Sequence, residues 1–212
     1  YTGDKDNAGA TIAELVVKNS ATIKADNELT LSTVTYKSDD VSITTEGTIN
    51  KLPITKFTNL IVDRGTLNLI DVSDKTLEVA NLYLKGLLPL PTLTNKATFE
   101  NVSINAADGT GNTSGKLSIQ NDITVTGKWS NEVGEAGFTH NNKSVNFTGS
   151  GATISGDNYF DEANFTGDNI QLNGNNTINT ANFTGSDATI TGDNNFATAN
   201  FTGDNIQLNG NN

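Results

Sequence analysis

The stretch Asn146-Phe147-Thr148-Gly149 returns as Asn164-Phe165-Thr166-Gly167, as Asn182-Phe183-Thr184-Gly185 and as Asn200-Phe201-Thr202-Gly203, each time after 18 residues. Aligned on that period, the apolar residues fall into columns. One is Phe147, Phe165, Phe183 and Phe201; a second is Ile154, Leu172, Ile190 and Leu208. Phe160, Ile178 and Phe196 make a third, Ala163, Ala181 and Ala199 a small-residue column, and Ala152, Ile170, Ala188 and Ile206 one that alternates small with large. Ala163 and Phe165 lie two apart, as do Ala152 and Ile154, so each pair faces one side of a strand. Gly149, Gly167, Gly185 and Gly203, and again Gly156, Gly174, Gly192 and Gly210, punctuate the units. Glycine followed by Asp or Asn is corner chemistry, because these residues accept left-handed backbone. Asn158, Asn176, Asn194 and Asn212 form a further column beside the second glycine.

A unit of 18 residues cannot bury its few apolar side chains alone. Stacking turns each column into a continuous internal ladder, and parallel pairing supplies the backbone hydrogen bonds with each coil about 4.8 Å above the last. Asn columns at the corners are placed to bond amide to amide up the stack. A larger period is superimposed, because Asp168 through Asn176 returns as Asp204 through Asn212.

Upstream the units are degenerate. Asn59-Leu60-Ile61-Val62, Asn81-Leu82-Tyr83-Leu84 and Asn101-Val102-Ser103-Ile104 share the pattern Asn, apolar, any, apolar, with shifted relatives at Asn27 and Asn121. Thr11–Val17, Val41–Thr44, Thr66–Ile70 and Leu117–Ile119 are further strand candidates, and no long amphipathic helix is evident. These patterns predict an all-β fold: one right-handed parallel β-solenoid of about ten coils of 18–22 residues, about 50 Å long. Residues 1–127 are expected to form degenerate coils, 128–145 an irregular connection or protruding loop, and 146–212 the regular coils of the same rod. The structural ladder is assigned to Phe147, Phe165, Phe183, Phe201, Ile154, Leu172, Ile190 and Leu208. Leu87-Leu88-Pro89-Leu90-Pro91 cannot be a central strand, since proline donates no ladder bond, and is read as a packed loop in preference to a contact patch.

The 212 residues include 31 Asn, 31 Thr and 20 Gly, while apolar residues make up only 34%. Such a composition suits disorder as well as strands, and it is the register of the five columns that decides for strands. Thirteen Lys and Arg against 24 Asp and Glu leave a net charge of −11, and no cation follows Lys143. Nucleic acid and anionic lipid both require a basic surplus, so neither is an expected partner. The absence of Cys excludes thiol catalysis, thiolate zinc sites and disulfides. No apolar run reaches the length of a membrane helix. The last residue, Asn212, falls just after a corner, as expected of an array cut while still running.

Catalytic readings find little support. His140 lies among Asn and Lys with no Ser and acid at a triad spacing, and is expected to be a surface loop histidine. Asp39-Asp40 and Asp161-Glu162 are adjacent acids, and neighbours on a strand are expected to face opposite sides. Arg64, the one arginine, precedes Gly65 in an expected turn. Gly-Asp-Asn at Gly156, Gly167, Gly192 and Gly203 hints at calcium, but acids are too few per coil and the nine-residue double-glycine signature is missing, so turn chemistry is preferred. Asn164 and Thr166 should point outward with their repeats; ranks of Thr suggest an ice-binding face, though Thr is simply a good exposed strand residue. Asn-X-Ser/Thr sequons start at Asn101, Asn112, Asn142, Asn146, Asn164, Asn175, Asn182 and Asn200, and sugars along the Asn164 column would collide. No catalytic, metal or cofactor site is therefore expected, and no enzyme.

The degenerate coils, the Asn-Phe-Thr-Gly repeats, the richness in Asn, Thr and Gly and the lack of Cys resemble the β-helical passengers of type V-secreted bacterial surface proteins, the autotransporter and filamentous-haemagglutinin-like adhesins. The resemblance spans the chain but carries over no site residue. It implies a virulence-associated rod, exported to the bacterial surface and anchored at the outer membrane through another part of the parent protein. The implied partners are a host-cell receptor, a surface glycan or another bacterial surface. A polysaccharide-degrading β-helix or phage-spike-like protein is the first alternative, an ice-binding or spacer rod the second.

Overall fold

Alternation of apolar with Thr, Asn and Ser along short segments makes half-buried strands, and Gly with Asn or Asp ends them within a few residues. The computed structural model describes residues 76–84, 96–106 and 114–212 in full, and the backbone of the strands within 10–64. Its strands are β1 (Ala10–Ile12), β2 (Leu15–Val17), β3 (Ala21–Thr22), β4 (Leu29–Lys37), β5 (Ile43–Thr44), β6 (Lys56–Arg64), β7 (Leu77–Leu84) and β8 (Ala97–Ile104). They continue as β9 (Leu117–Ser118), β10 (Ile123–Val125), β11 (Lys128–Asn131), β12 (Phe138–Thr139), β13 (Ser144–Phe147), β14 (Thr153–Gly156), β15 (Tyr159–Phe165) and β16 (Gln171–Leu172). The last are β17 (Thr177–Phe183), β18 (Thr189–Thr191), β19 (Asn195–Phe201) and β20 (Gln207–Asn209). Among the described residues every pairing is parallel, and from β8 onward the stacked coils form a β-solenoid of about six turns. Upstream the same ladder runs from β7 through β6 and β4 to β1 and β2.

The register explains how degenerate and regular coils join. Asn59, Asn81 and Asn101 lie side by side, as do Phe57, Val79 and Phe99. The next coil splits the long strand β8: Val125 continues the Phe99 column and Trp129 the Val102 column. Downstream, Phe147 extends the first and Ile154 the second. The Asn-Phe repeats therefore do not descend from the Asn101 column. The corner between the two columns widens along the rod, from Glu100-Asn101 to Thr126-Gly127-Lys128 to the segment 148–153. Asn121 does not join the Asn column, since β10 begins only at Ile123, and Asn27 lies outside the described residues.

Residues 128–145 are built into the coil and do not leave the rod. Trp129 is fully buried in β11, a 3-10 turn covers Gly134–Gly137, and β12 pairs with β9 on a third side. Phe138 packs edge-on against Trp129 at 5.0 Å between ring centroids, and Phe160 closes on both. These aromatics supply apolar area that holds the segment on the rod, about 1.5–3 kcal/mol for each buried ring.

The columns assigned to the ladder are buried from Phe147 to Phe183 and from Ile154 to Ile190. Phe147, Phe165 and Phe183 stack nearly parallel, with centroids 5.3 and 4.3 Å apart. Phe201 and Leu208, in β19 and β20, which pair on one side only, are 42% and 50% exposed. Ala152, Ile170 and Ala188 are buried as the small–large column requires.

The coils touch at both glycine columns, where a Cβ on Gly174 would lie 2.4 Å from the Gly156 carbonyl oxygen, and the columns differ in backbone conformation. Gly156, Gly174, Gly192 and Gly210 have φ between +95° and +109°, a conformation that favours glycine. Gly149, Gly167, Gly185 and Gly203 do not have left-handed backbone; they are glycine because the coils touch there. A Cβ on Gly167 would lie 2.3 Å from the Gly149 carbonyl oxygen. The left-handed residues of that corner are instead Asn169, Asp187 and Asn205.

Of the expected features, Thr66–Ile70, Gly65, Asp39-Asp40, Leu87–Pro91 and Asn112 lie outside the described residues, as does the side chain of Arg64.

Candidate functional site

Two amide ladders run along the rod in opposite senses. The inner one is buried: Asn158 donates Nδ2–H to Asn176 Oδ1 at 2.9 Å, Asn176 to Asn194 at 2.8 Å and Asn194 to Asn212 at 2.8 Å. Asn176 is only 1% exposed. The second hydrogen of each amide is directed at the carbonyl of the neighbouring glycine, Gly156, Gly174 or Gly192, so these buried groups have partners at both hydrogens. The amide-to-amide bonding expected of the Asn column beside the second glycine is thus present. The column's burial follows from parity, since Asn158 and Phe160 are two apart and share a face.

The outer ladder points its donors the other way. Asn200 donates to Asn182 at 2.7 Å, Asn182 to Asn164 at 2.7 Å and Asn164 to Asn146 at 2.9 Å, and Asn146 ends on the Ile123 carbonyl. An equivalent pair, Asn101 to Asn81, is closed by the Lys128 backbone N–H, which donates to Asn101 Oδ1. Five of the sequon asparagines thus have their amides engaged in these ladders, and Asn175 Oδ1 accepts from the Asp193 backbone N–H at 3.0 Å. Asn142 differs: it is exposed, at φ 57°, on a tight turn whose Lys143 N–H donates to the His140 carbonyl.

The corner carboxylates bond to the backbone of the following coil. Asp157 accepts from Asn175 N–H at 3.0 Å and Asp168 from Ser186 N–H at 2.9 Å. These bonds join successive coils, while the left-handed backbone expected at Gly-Asp-Asn turns is found at Gly156, Asn169, Gly192 and Asn205. Among the described residues no group of three or more His, Cys, Asp or Glu is placed to hold a metal ion. No helix among them is long and apolar enough to cross a membrane.

One expectation about the acids is overturned. In β15 the burial order is Phe160 in, Asp161 and Glu162 half-exposed, Ala163 in. The register passes from Phe160↔Ile178 directly to Glu162↔Thr180, skipping Asp161 and Asn179. The strand bends there, so the two adjacent acids lie on the outer surface together. Asp161 Oδ1 accepts from Asn179 Nδ2 at 2.9 Å, and the same amide reaches the Tyr159 hydroxyl at 3.4 Å. Glu162 Oε1 accepts from Asn182 Nδ2 at 3.4 Å. His140 is half-buried, and its ring meets the Tyr159 ring edge-on at 4.8 Å.

Thr148, Thr166, Thr184 and Thr202 are exposed in one rank, and Asn146, Asn164 and Asn182 stand half-exposed beside them. Glu162, Thr180 and Thr198 form a parallel outward column. The surface therefore presents repeated columns of amides and hydroxyls in fixed register, broken once by Tyr159, Asp161 and Glu162. Compared with family models, curated proteins and solved structures, the chain matches none, so the solenoid and its outward columns stand on their own geometry.

Proposed function

We propose that the chain is a segment of a bacterial surface adhesin, a rod that extends and presents polar faces and loops to a host receptor, a glycan or another bacterial surface. The observation that carries this reading is the parallel ladder with flat outward columns. Such a rod gains length coil by coil and repeats one set of hydrogen-bonding groups along its side, a geometry suited to extended, low-affinity contact multiplied over many points. Export to the cell surface, anchorage through another part of the parent protein and a non-enzymatic role belong to the same proposal. The net charge of −11 favours partners other than nucleic acid.

A second reading is favoured by one observation: Asp161 and Glu162 share the outer surface, so a carboxylate pair of the kind polysaccharide-cleaving β-helices use is sterically open. The test is adhesion of the purified chain to epithelial cells and to a glycan array, run beside a reducing-end assay on polysaccharides. Saturable adhesion without new reducing ends supports the adhesin. Product release overturns it in favour of the enzyme, and thermal hysteresis without adhesion would assign the Thr rank to ice.

A further inference from the structure

The regular coils keep their inward columns through β15, β17 and β19: Phe160, Ile178 and Phe196; Ala163, Ala181 and Ala199; Phe165, Phe183 and Phe201. Of the outward positions, Asn164, Asn182 and Asn200 are kept and the other three are not. Where β17 carries Thr177, Asn179 and Thr180, and β19 carries Asn195, Ala197 and Thr198, β15 carries Tyr159, Asp161 and Glu162. Packing requires none of these three substitutions, because all three face outward. An aromatic ring and two carboxylates stand together at strand positions whose equivalents in β17 and β19 are small neutral groups.

The side chains are also ordered in advance. Asn179 holds Asp161 and reaches Tyr159, Asn182 reaches Glu162, and His140 buttresses the ring at 86° between planes. A site ordered before its ligand arrives loses less entropy on binding. The ring offers an apolar surface of the size of one pyranose C–H face, with a hydroxyl at its edge. Beside it, carboxylate oxygens accept charge-assisted hydrogen bonds from vicinal hydroxyls, and the Asn179 and Asn182 amides are the adjacent neutral groups. The wider field selects among sugars. Asp157, Asp161, Glu162 and Asp168 lie within twelve residues of one another, against a single neighbouring cation, Lys143, which precedes Ser144, the partner of Glu162, so the field at the site is net negative. A sialylated or sulfated glycan would meet like charge.

We propose that Tyr159, Asp161 and Glu162, held by His140, Asn179 and Asn182, form a binding site for neutral carbohydrate. The proposal rests on the reading of the chain as a surface-binding rod and names the ligand class for one place on it. It predicts one site per chain, in contrast to one per coil.

The full chain is applied to a printed array of neutral, sialylated and sulfated oligosaccharides and, separately, to epithelial cells, alongside Tyr159→Ala, Asp161→Asn and a Gln171→Ala control on the β14–β16 face. The expected result is binding confined to neutral glycans, weakened about tenfold or more by Tyr159→Ala and by Asp161→Asn and unchanged by the control. Far-UV spectra superimposable on that of the parent chain show that the variants keep the fold, and Asp161→Asn carries the test should Tyr159→Ala lose it. Preference for sialylated or sulfated glycans, or neutral binding indifferent to both variants, overturns this site and leaves the adhesin reading standing. Adhesion to cells with no glycan bound does the same. Failure to bind either cells or glycans overturns the adhesin reading and the site with it.

Discussion

Trp129 donates its indole N–H to Oδ1 of Asn158 across 2.8 Å, with both side chains buried. This bond starts the inner amide ladder, in which each Asn donates to the next coil. The first acceptor of such a chain has no preceding Asn in its column, and an apolar residue in place of Trp129 would leave it dependent on Asn131, whose Nδ2 reaches the same oxygen at 3.2 Å. The indole thus fills the core of the changeover coil and also begins the polar ladder of the regular coils. Its rings contact Phe138, Phe147 and Phe160, so the two roles are served by one rigid side chain.

The inner ladder sets the first prediction. Asn176→Ala removes a buried donor and acceptor together and takes one ladder partner from each of Asn158 and Asn194. The expected loss is about 2–4 kcal/mol, read from urea denaturation followed by circular dichroism. Asn176→Asp replaces the donor by a carboxylate with no cation in the ladder. Burial raises the folded-state pKa of such a group above the unfolded value, so the penalty is smallest below about pH 3.9 and grows as pH rises through that range. Asn176→Asp should therefore unfold more readily at neutral pH than in mild acid, relative to the parent chain measured at each pH. Equal penalties at both would show that the column is solvated.

The glycine columns set the second. At Gly167 a Cβ would stand 2.3 Å from a backbone oxygen that cannot move without parting two coils, whereas at Gly151 it would meet nothing within 4 Å. Gly151 has φ +74°, so alanine there pays only the left-handed strain of about 1 kcal/mol. Gly167→Ala should cost about 3 kcal/mol by overpacking. Comparison of the two urea midpoints checks this; a larger effect at Gly151 would show that backbone conformation, and not coil contact, is limiting.

What could be read before the fold was known divides along physical lines. Residues such as Phe165 and Leu172 were legible because a repeat that keeps its inward positions reports the core directly. The bend at Asp161 was not, because the alternation rule assumes an unbroken pleat. Its trace is nonetheless in the sequence: Phe160 and Ala163 are both apolar columns and lie three apart, which an unbent strand cannot bring to one face. The burial of Asn158 was likewise available from its parity with Phe160, and was hidden by the habit of assigning Asn to corners. The register of Phe99 with Val125 and Phe147 was beyond reach, since corners of changing length between the columns erase any constant period.

The aromatic column sets a third prediction. Phe165 is stacked between Phe147 and Phe183 and nearly inaccessible, so Phe165→Ala opens a cavity at the centre of the rod and should cost about 3–5 kcal/mol. Phe201→Ala deletes a ring already 42% exposed and in contact with only one stacked neighbour, Phe183. It should cost about 1 kcal/mol, since less area returns to water and the site is open to relaxation. Denaturation of the two variants side by side gives the difference. Equal losses would mean that the last coil is covered in solution, for example by association between chains.

Nearest-neighbour stacking sets the last. Each coil in a solenoid is held by the coils on either side, so stability is a sum of local terms and opening starts where one neighbour is missing. In the described part of the rod, β15 and β17 are flanked on both sides, whereas β19 and β20 are paired on one side only. Native-state hydrogen exchange should accordingly show the amides of β15 and β17 as the slowest. Those of β19 and β20 should exchange faster, although the residue types are the same: Ala181 and Ala199, or Phe183 and Phe201, occupy identical columns. Such matched pairs remove intrinsic sequence effects from the comparison. The ratio within a pair then measures the stabilisation contributed by one additional coil, and Phe183→Ala should collapse that ratio by loosening the inner coil toward the rate of the outer one. Uniform protection along the regular coils would show that they open as a single cooperative block, and the additive account of the rod would fall.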